Sequence, residues 1–287
     1  MQRTALLVLI AVALSVPGTA PGSPIVGVSA NTVPQGEFML DTWFMWRDYT
    51  REYEQRLQGG DTEGWVDLPA DEVRTHGTVA PRLLYGVTDW LTIRIGVPLE
   101  DRYVDLPDEA TGSGSATGLG DLVLDPKIQI YRGKSGYPRV ALLAGVQLPT
   151  GDSDGSPALS DGSTDYVGGA AITHKIDNVS AHACLTYWLN GESAAGVDVP
   201  DVWIGAAGVE NPIDENWSLL WETKAYIGSE NSKYRRVYVC PGLEWNGAHL
   251  TLGACAFVPV YAKGVVNAPN RFDFNWAPYV RLYYRFF

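Results

Sequence analysis

Leu91-Thr92-Ile93-Arg94-Ile95-Gly96-Val97-Pro98-Leu99 decides the fold. Leu91, Ile93, Ile95, Val97 and Leu99 fall on one face, and Thr92, Arg94, Gly96 and Pro98 on the other, a period of two that only a β-strand produces. The pattern recurs outward along the chain. Leu122, Leu124, Pro126, Ile128 and Ile130 oppose Asp121, Val123, Asp125, Lys127 and Gln129. Leu219, Trp221, Thr223, Ala225 and Ile227 oppose Ser218, Leu220, Glu222, Lys224 and Tyr226. At the end, Trp276, Pro278, Val280, Leu282, Tyr284 and Phe286 oppose Tyr279, Arg281, Tyr283 and Arg285. Each strand carries one apolar and one charged face.

Strand segments of this kind run over Gly36–Tyr49, Val73–Tyr85, Trp90–Leu99, Leu119–Tyr131, Arg139–Pro149, Asp165–His174, Val179–Leu189, Val202–Glu210, Trp217–Ile227, Tyr234–Trp245, His249–Tyr261 and Phe274–Phe287, which makes 12. Long acidic connections (Thr50 to Glu72, Glu100 to Gly118, Thr150 to Thr164, Asn190 to Asp201, Ala262 to Asp273) alternate with tight turns near Gly86–Asp89, Lys175–Asn178, Asn211–Asn216 and Asn246–Gly247. Gly228 to Lys233 is short where a long link is expected. An even strand number with alternating long and short links predicts an all-β fold: a closed antiparallel transmembrane β-barrel of about 12 strands, turns and both termini on the periplasmic side.

Composition agrees. Of 287 residues, 46% are hydrophobic and 19% charged, below the roughly 25% usual in soluble domains, which excludes a disordered chain. A net charge of −12 excludes nucleic acid as a partner. After residue 30 the longest apolar runs resemble Val140 to Val146, far short of the roughly 18 residues of a membrane helix. Arg3, the apolar run Ala5 to Val16, and small residues at Gly18, Ala20, Ser29 and Ala30 have the layout of a secretory signal peptide. Cleavage after Ala20 or Ala30 suits these residues, and Pro21 favours the later position, dividing the chain into residues 1–30 and a barrel of residues 31–287. The expected location is the outer membrane of a Gram-negative-type bacterium. A secreted β-sandwich is the soluble alternative, but it lacks a reason for the alternation of link lengths.

Two aromatic belts fit an interface at each end: Tyr85, Trp90, Tyr131, Trp217 and Trp245 near the turns, and Trp46, Tyr49, Trp188, Tyr226, Tyr261 and Trp276 near the long loops. A lipid-facing charge costs about 2–4 kcal/mol at the midplane, so the apolar faces belong to lipid. That directs Glu37, Asp41, Arg47, Arg82, Arg94, Asp121, Asp125, Lys127, Glu222, Lys224, Arg236, Glu244, Arg281 and Arg285 into the lumen. There they either form a polar pathway or cross-pair to fill a small barrel. Asp121, Asp125 and Lys127 share a face beside Arg94, and these four form the leading candidate site.

Gly118-Leu119-Gly120-Asp121-Leu122-Val123-Leu124-Asp125-Pro126-Lys127, followed by Leu148-Pro149-Thr150-Gly151-Asp152, resembles the outer-membrane transporter family named for the MetA-pathway of phenol degradation. Val33-Pro34-Gln35-Gly36-Glu37-Phe38 and the ending Tyr284-Arg285-Phe286 are similar to it too, with Phe287 as an extra residue. The resemblance implies a barrel and transport, and a terminal aromatic strand read by the barrel assembly machinery.

Cys184, Cys240 and Cys255 lie on polar faces, and Cys240 with Cys255 stand near each other across the hairpin at Gly247, which makes a disulfide one option. His182 and Cys184 share a face, with no second pair at ligand spacing. Acidic loops at Asp101–Glu109, Asp152–Asp165 and Asp198–Asp201 read as solvated surfaces, and no metal or cofactor is expected. The histidines (His76, His174, His182, His249) have no hydrolase motif, and Gly118-Leu119-Gly120 lacks the third glycine of a dinucleotide loop. The expectation is a monomeric, non-enzymatic channel or transporter in outer-membrane lipid, passing small solutes, aromatic or otherwise apolar. A non-conducting structural or surface-binding barrel is the alternative; a barrel-wall lipid hydrolase using His182 or His249 is the second.

Overall fold

The computed structural model describes residues 24–56, 62–106, 113–133, 137–194, 196, 199–229, 234–263 and 272–286. The signal-peptide run Ala5 to Val16 and the extra Phe287 lie outside the described residues. The strands in chain order are β1 (Phe38–Tyr49), β2 (Arg51–Arg56), β3 (Thr62–Asp67), β4 (Val73–Thr88), β5 (Leu91–Gly96), β6 (Leu99–Asp105), β7 (Gly114–Leu119), β8 (Leu122–Tyr131), β9 (Arg139–Leu148), β10 (Asp165–Ile176), β11 (Val179–Leu189), β12 (Val202–Pro212), β13 (Trp217–Gly228), β14 (Arg235–Asn246), β15 (Leu250–Lys263), β16 (Phe272–Asp273) and β17 (Ala277–Arg285).

Twelve of them, β1, β4, β5, β8 to β15 and β17, close into an antiparallel ring, with β1 paired to β17 on one side and β4 on the other. Closure leaves the spanning wall no free edge, the condition for carrying strands through hydrocarbon. The alternation resolves as expected as far as Ile95, while Val97, at the break that follows β5, lines the lumen instead of the outer face. Ile93 and Ile95 are 38% and 44% exposed on the outside, whereas Thr92 and Arg94, between and beside them, are 0% and 7% exposed inside. The protein is therefore apolar outside and charged within, an outer-membrane barrel.

Two connections hold more structure than their sequences suggest. The link Glu100 to Gly118 carries β6 and β7, which continue β5 and β8 outward beyond breaks at Val97-Pro98 and Gly120-Asp121, while β6 pairs with the outer half of β4. The link Thr50 to Glu72 carries the hairpin β2–β3, which joins β16 in a separate three-stranded sheet over the outer mouth. Segments such as Arg51-Glu52-Tyr53-Glu54-Gln55-Arg56 belong to no stave of the wall, and their sequence carries no apolar alternation for period two to reveal.

The belts need one correction. Trp90, Tyr131 and Trp217 do face outward near the turns, as do Trp46, Tyr261 and Trp276 near the loops. Tyr49, Trp188 and Tyr226 instead point inward, because Tyr49 keeps the parity of Asp41, Trp188 that of His182, and Tyr226 that of Glu222.

Candidate functional site

The lumen is divided along its axis. Its inner half holds residues 24–35, which turn in at the mouth bearing the short turns and climb the lumen in reverse. Gly36 takes φ 81° at the turn, and its N–H donates to Gly86 O at 2.8 Å. A Cβ on Gly86 would lie 2.0 Å from Pro34 O, so glycine is required for the segment to enter.

An extended backbone with no strand partner must find a partner for every buried N–H and C=O. The charged wall supplies them. Val33 N–H donates to Thr92 Oγ1 at 2.9 Å and Ala30 N–H to Thr173 Oγ1 at 2.9 Å. Lys127 Nζ donates to Ser29 O at 3.3 Å and Gln129 Nε2 to Ala30 O at 2.7 Å. Deepest in, the Glu222 carboxylate accepts from the N–H groups of Ile25, Val26 and Gly27 at 2.5, 2.7 and 3.2 Å. Arg281 Nη1 donates to the carbonyls of Pro24, Ile25 and Gly27 at 3.1, 2.9 and 3.2 Å. Room for the segment comes from small wall residues, with Ala30 packed against Ala141 and Ala171. Ile25 is 1% exposed and sits among Leu220, Tyr238, Phe257 and Tyr279.

Arg281 also holds Asp41 by two bonds, 2.8 Å to Oδ1 and 2.7 Å to Oδ2, the bidentate geometry that makes such pairs strong. Arg94 pairs with Asp125 directly across from it on β8, with Lys127 two residues on. Asp121 stands apart from that group: it accepts from Ser160 Oγ at 2.9 Å and Gly151 N–H at 3.0 Å. The acidic loop 150–164 is thus folded onto the rim by Asp121, and Leu159 within it is buried. The solvated loop surface expected there is a seated one. Arg236 reaches Asp273 at 3.8 Å in the outer cap. Arg47 donates to Thr78 Oγ1 at 2.9 Å, and Glu100 pairs with His76. Glu37 and Arg285 form a half-exposed pair of 3.7 Å at the inner mouth. Glu210, Glu222 and Glu244, on three successive strands, make one side of the inner lumen acidic, and Glu244 is 0% exposed.

Arg82 is different. It lies across from Asp41 in register, but Arg281 takes both Asp41 oxygens, and Arg82 has no ion-pair or hydrogen-bond partner among the described residues. Lys224 lies 5.2 Å from the Tyr226 ring centre and 6.0 Å from that of Phe257.

Above the inserted segment a chamber of about 400 Å³ remains. Val26, Gly27 and Val28 form its floor, and its wall includes Trp43, Met45, Trp188, Tyr226, Phe257 and Tyr279. Arg47, Arg82, Arg94, Lys224 and Arg281 line it against two carboxylates, Glu100 and Asp125. The outer cap lies above. Phe274 drops into the aromatic cluster, stacked on Tyr238 at 5.6 Å, and the adjacent Asp273 holds Arg51 at 3.0 Å. The lumen aromatics escaped the sequence reading because aromatics near loops were assigned to belts, although parity already placed them inside.

The cysteine register is offset. Cys255 lies across from Gly242, not Cys240, and all three cysteines are free thiols. His182 faces the lumen with Nδ1 3.0 Å from Thr173 Oγ1 and Nε2 4.0 Å from Glu210, turned away from lipid. No group of three or more metal-binding side chains occurs among the described residues.

A closed twelve-stranded wall, apolar outside and charged within, with its own N-terminal segment threaded into the lumen, defines an outer-membrane β-barrel of the plugged kind. The family described as "Putative MetA-pathway of phenol degradation" matches residues 27–272, and the chain belongs to it. The fold is similar to the crystal structure of the COG4313 outer membrane channel from Pseudomonas putida F1, with a TM-score of 0.72 and 14% identity over 94% of this chain and 100% of that one. A Pseudomonas aeruginosa FadL homologue is more distant, at TM-score 0.45 and 11% identity over 93% and 99%. No curated protein matches the sequence.

Proposed function

We propose that the protein is a monomeric, passive outer-membrane channel for small solutes with an apolar or aromatic body. The observation that carries the reading is the chamber of about 400 Å³, closed below by residues 26–28 and walled by aromatic side chains. Its volume falls within the roughly 300–1,000 Å³ of small-molecule sites. A wall built for structure alone gains nothing by lining such a space with aromatic rings and cations at once. Transport then requires displacement of the inner segment, which is held by hydrogen bonds to side chains rather than woven into the sheet. The assembly machinery would recognise β17 through its aromatic end.

Cleavage after Ala30 would remove Ile25 to Gly27, which satisfy Glu222 and fill the pocket around Leu220, whereas cleavage after Ala20 retains them. We therefore expect Pro21 as the mature N-terminus. Intact mass of protein extracted from outer membranes separates the two, and a chain beginning at Asn31 would describe an open, unplugged barrel instead.

Single-channel recording and liposome swelling of the refolded mature protein test the channel. Stepwise currents or solute-dependent swelling are expected. A heat-modifiable barrel that does neither would leave the second reading, a non-conducting barrel, which the complete burial of Ile25, Asp41 and Glu244 favours.

A further inference from the structure

The chamber carries a selectivity that its aromatic wall alone does not explain. In a chain of net charge −12, the side chains lining this space include five cations and two carboxylates. Most of the cations are engaged: Arg94 by Asp125, Arg281 by Asp41 and by the inserted backbone, Arg47 by Thr78. Arg82 is not. Arg82 lines the chamber and has no carboxylate, hydroxyl or carbonyl partner among the described residues, because Arg281 has taken the carboxylate that stands across from it. On the lumen face of β1, two residue pairs further out, is Trp43, whose ring stacks on Tyr279 at 5.7 Å and 18°. Lys224 adds a second charge from a strand five places away around the ring.

A free guanidinium next to a stacked pair of rings, in a chamber of single-molecule size, fits one ligand chemistry: a planar ring carrying a carboxylate. The carboxylate would accept two N–H bonds from the Arg82 fork, and the ring would lie against Trp43 and Tyr279. We infer that the chamber is a binding site for small aryl carboxylates, with Arg82 as the carboxylate receptor and the Trp43–Tyr279 pair as the ring platform. This rests on the channel reading only in supposing that solutes reach the chamber.

The test uses the refolded, heat-modifiable mature barrel and two readouts. Isothermal titration compares benzoate with benzyl alcohol and benzylamine, and liposome swelling measures entry of the same three. Benzoate should bind saturably and at least about tenfold more tightly than the alcohol, with affinity falling as salt rises. Arg82→Gln should cost about tenfold in benzoate affinity and leave the alcohol unchanged, and Arg82→Lys should recover part of the loss. Equal affinity for benzoate and benzyl alcohol, or an Arg82→Gln protein that binds benzoate normally, overturns the inference. Selective benzoate binding without swelling would keep the site and overturn the channel; swelling by all three without selective binding would keep the channel and overturn the site.

Discussion

The two halves of the lumen solve opposite problems with the same residue types. In the inner half, Glu222, Arg281, Lys127 and Gln129 are consumed by the backbone of residues 24–30, each donor facing an acceptor. Around the chamber above that backbone, Arg82 and Lys224 line space and aromatic rings. Charge taken up by the inserted backbone makes a stopper, and charge left to line the space beside rings makes a receptor. The difference is not composition but whether a backbone strand has been laid against the charge.

The largest expected effect comes from removing that strand. Deleting residues 24–35 from the mature chain takes away the chamber floor and should raise single-channel conductance several-fold, with heat-modifiability retained because the ring of twelve strands is intact. Conductance unchanged by the deletion would show that the outer cap, not the inner segment, limits passage.

Arg281→Met comes next. It strands Asp41, which is 0% exposed, and three backbone carbonyls at once. Breaking a buried pair from one side costs about 3–5 kcal/mol, and here the figure should fall toward the lower end because Arg82 stands across from Asp41 and can turn to it. Urea unfolding in lipid vesicles measures the loss. The variant should also bind benzoate weakly, since Arg82 would no longer be free, and retained binding would separate the two roles.

Phe274→Ala probes the outer side of the comparison. Phe274 is 3% exposed, wedged against Tyr238, yet it belongs to a cap segment instead of the wall. Truncating a buried phenylalanine costs about 3 kcal/mol or more where it is part of a rigid core. A cap can lift away, so we expect the loss to show as faster solute entry in swelling assays, with the unfolding midpoint shifted less than for Arg281→Met.

The same contrast explains what could be read from the sequence. The wall was legible because lipid on one side and charge on the other impose period two on every spanning strand, and 12 segments such as Trp90–Leu99 resolve into the 12 staves. That Arg94 neighbours Asp125 and Lys127 was legible from shared parity on adjacent strands, though not that Asp125 is its partner. Asp121 was not separable from them, since its partners Ser160 and Gly151 come from a loop whose path no periodicity encodes. The inserted segment was illegible for a deeper reason. Pro24-Ile25-Val26-Gly27-Val28 has no alternation and follows a signal-like run, and its only structure is borrowed from side chains as far away in sequence as Arg281. Cap strands β2 and β3, in a sheet separate from the wall, lack an apolar alternation in their sequences.

The smallest effect marks where the comparison ends. Arg285 and Glu37 lie at the inner mouth, below the inserted residues 24–30, 3.7 Å apart with side chains 31% and 38% exposed. Water competes for both charges and the pair serves neither as stopper nor as receptor, so Arg285→Ala should cost at most about 1 kcal/mol in stability. Benzoate affinity should not change, because the chamber lies on the far side of the inserted segment. A reversal potential that shifts toward cations would still be expected, since removing one positive charge at a narrow mouth alters which ion enters first. If Arg285→Ala instead destabilised the barrel as much as Arg281→Met, burial by the inserted backbone would not be what distinguishes structural charge from solute-facing charge in this lumen.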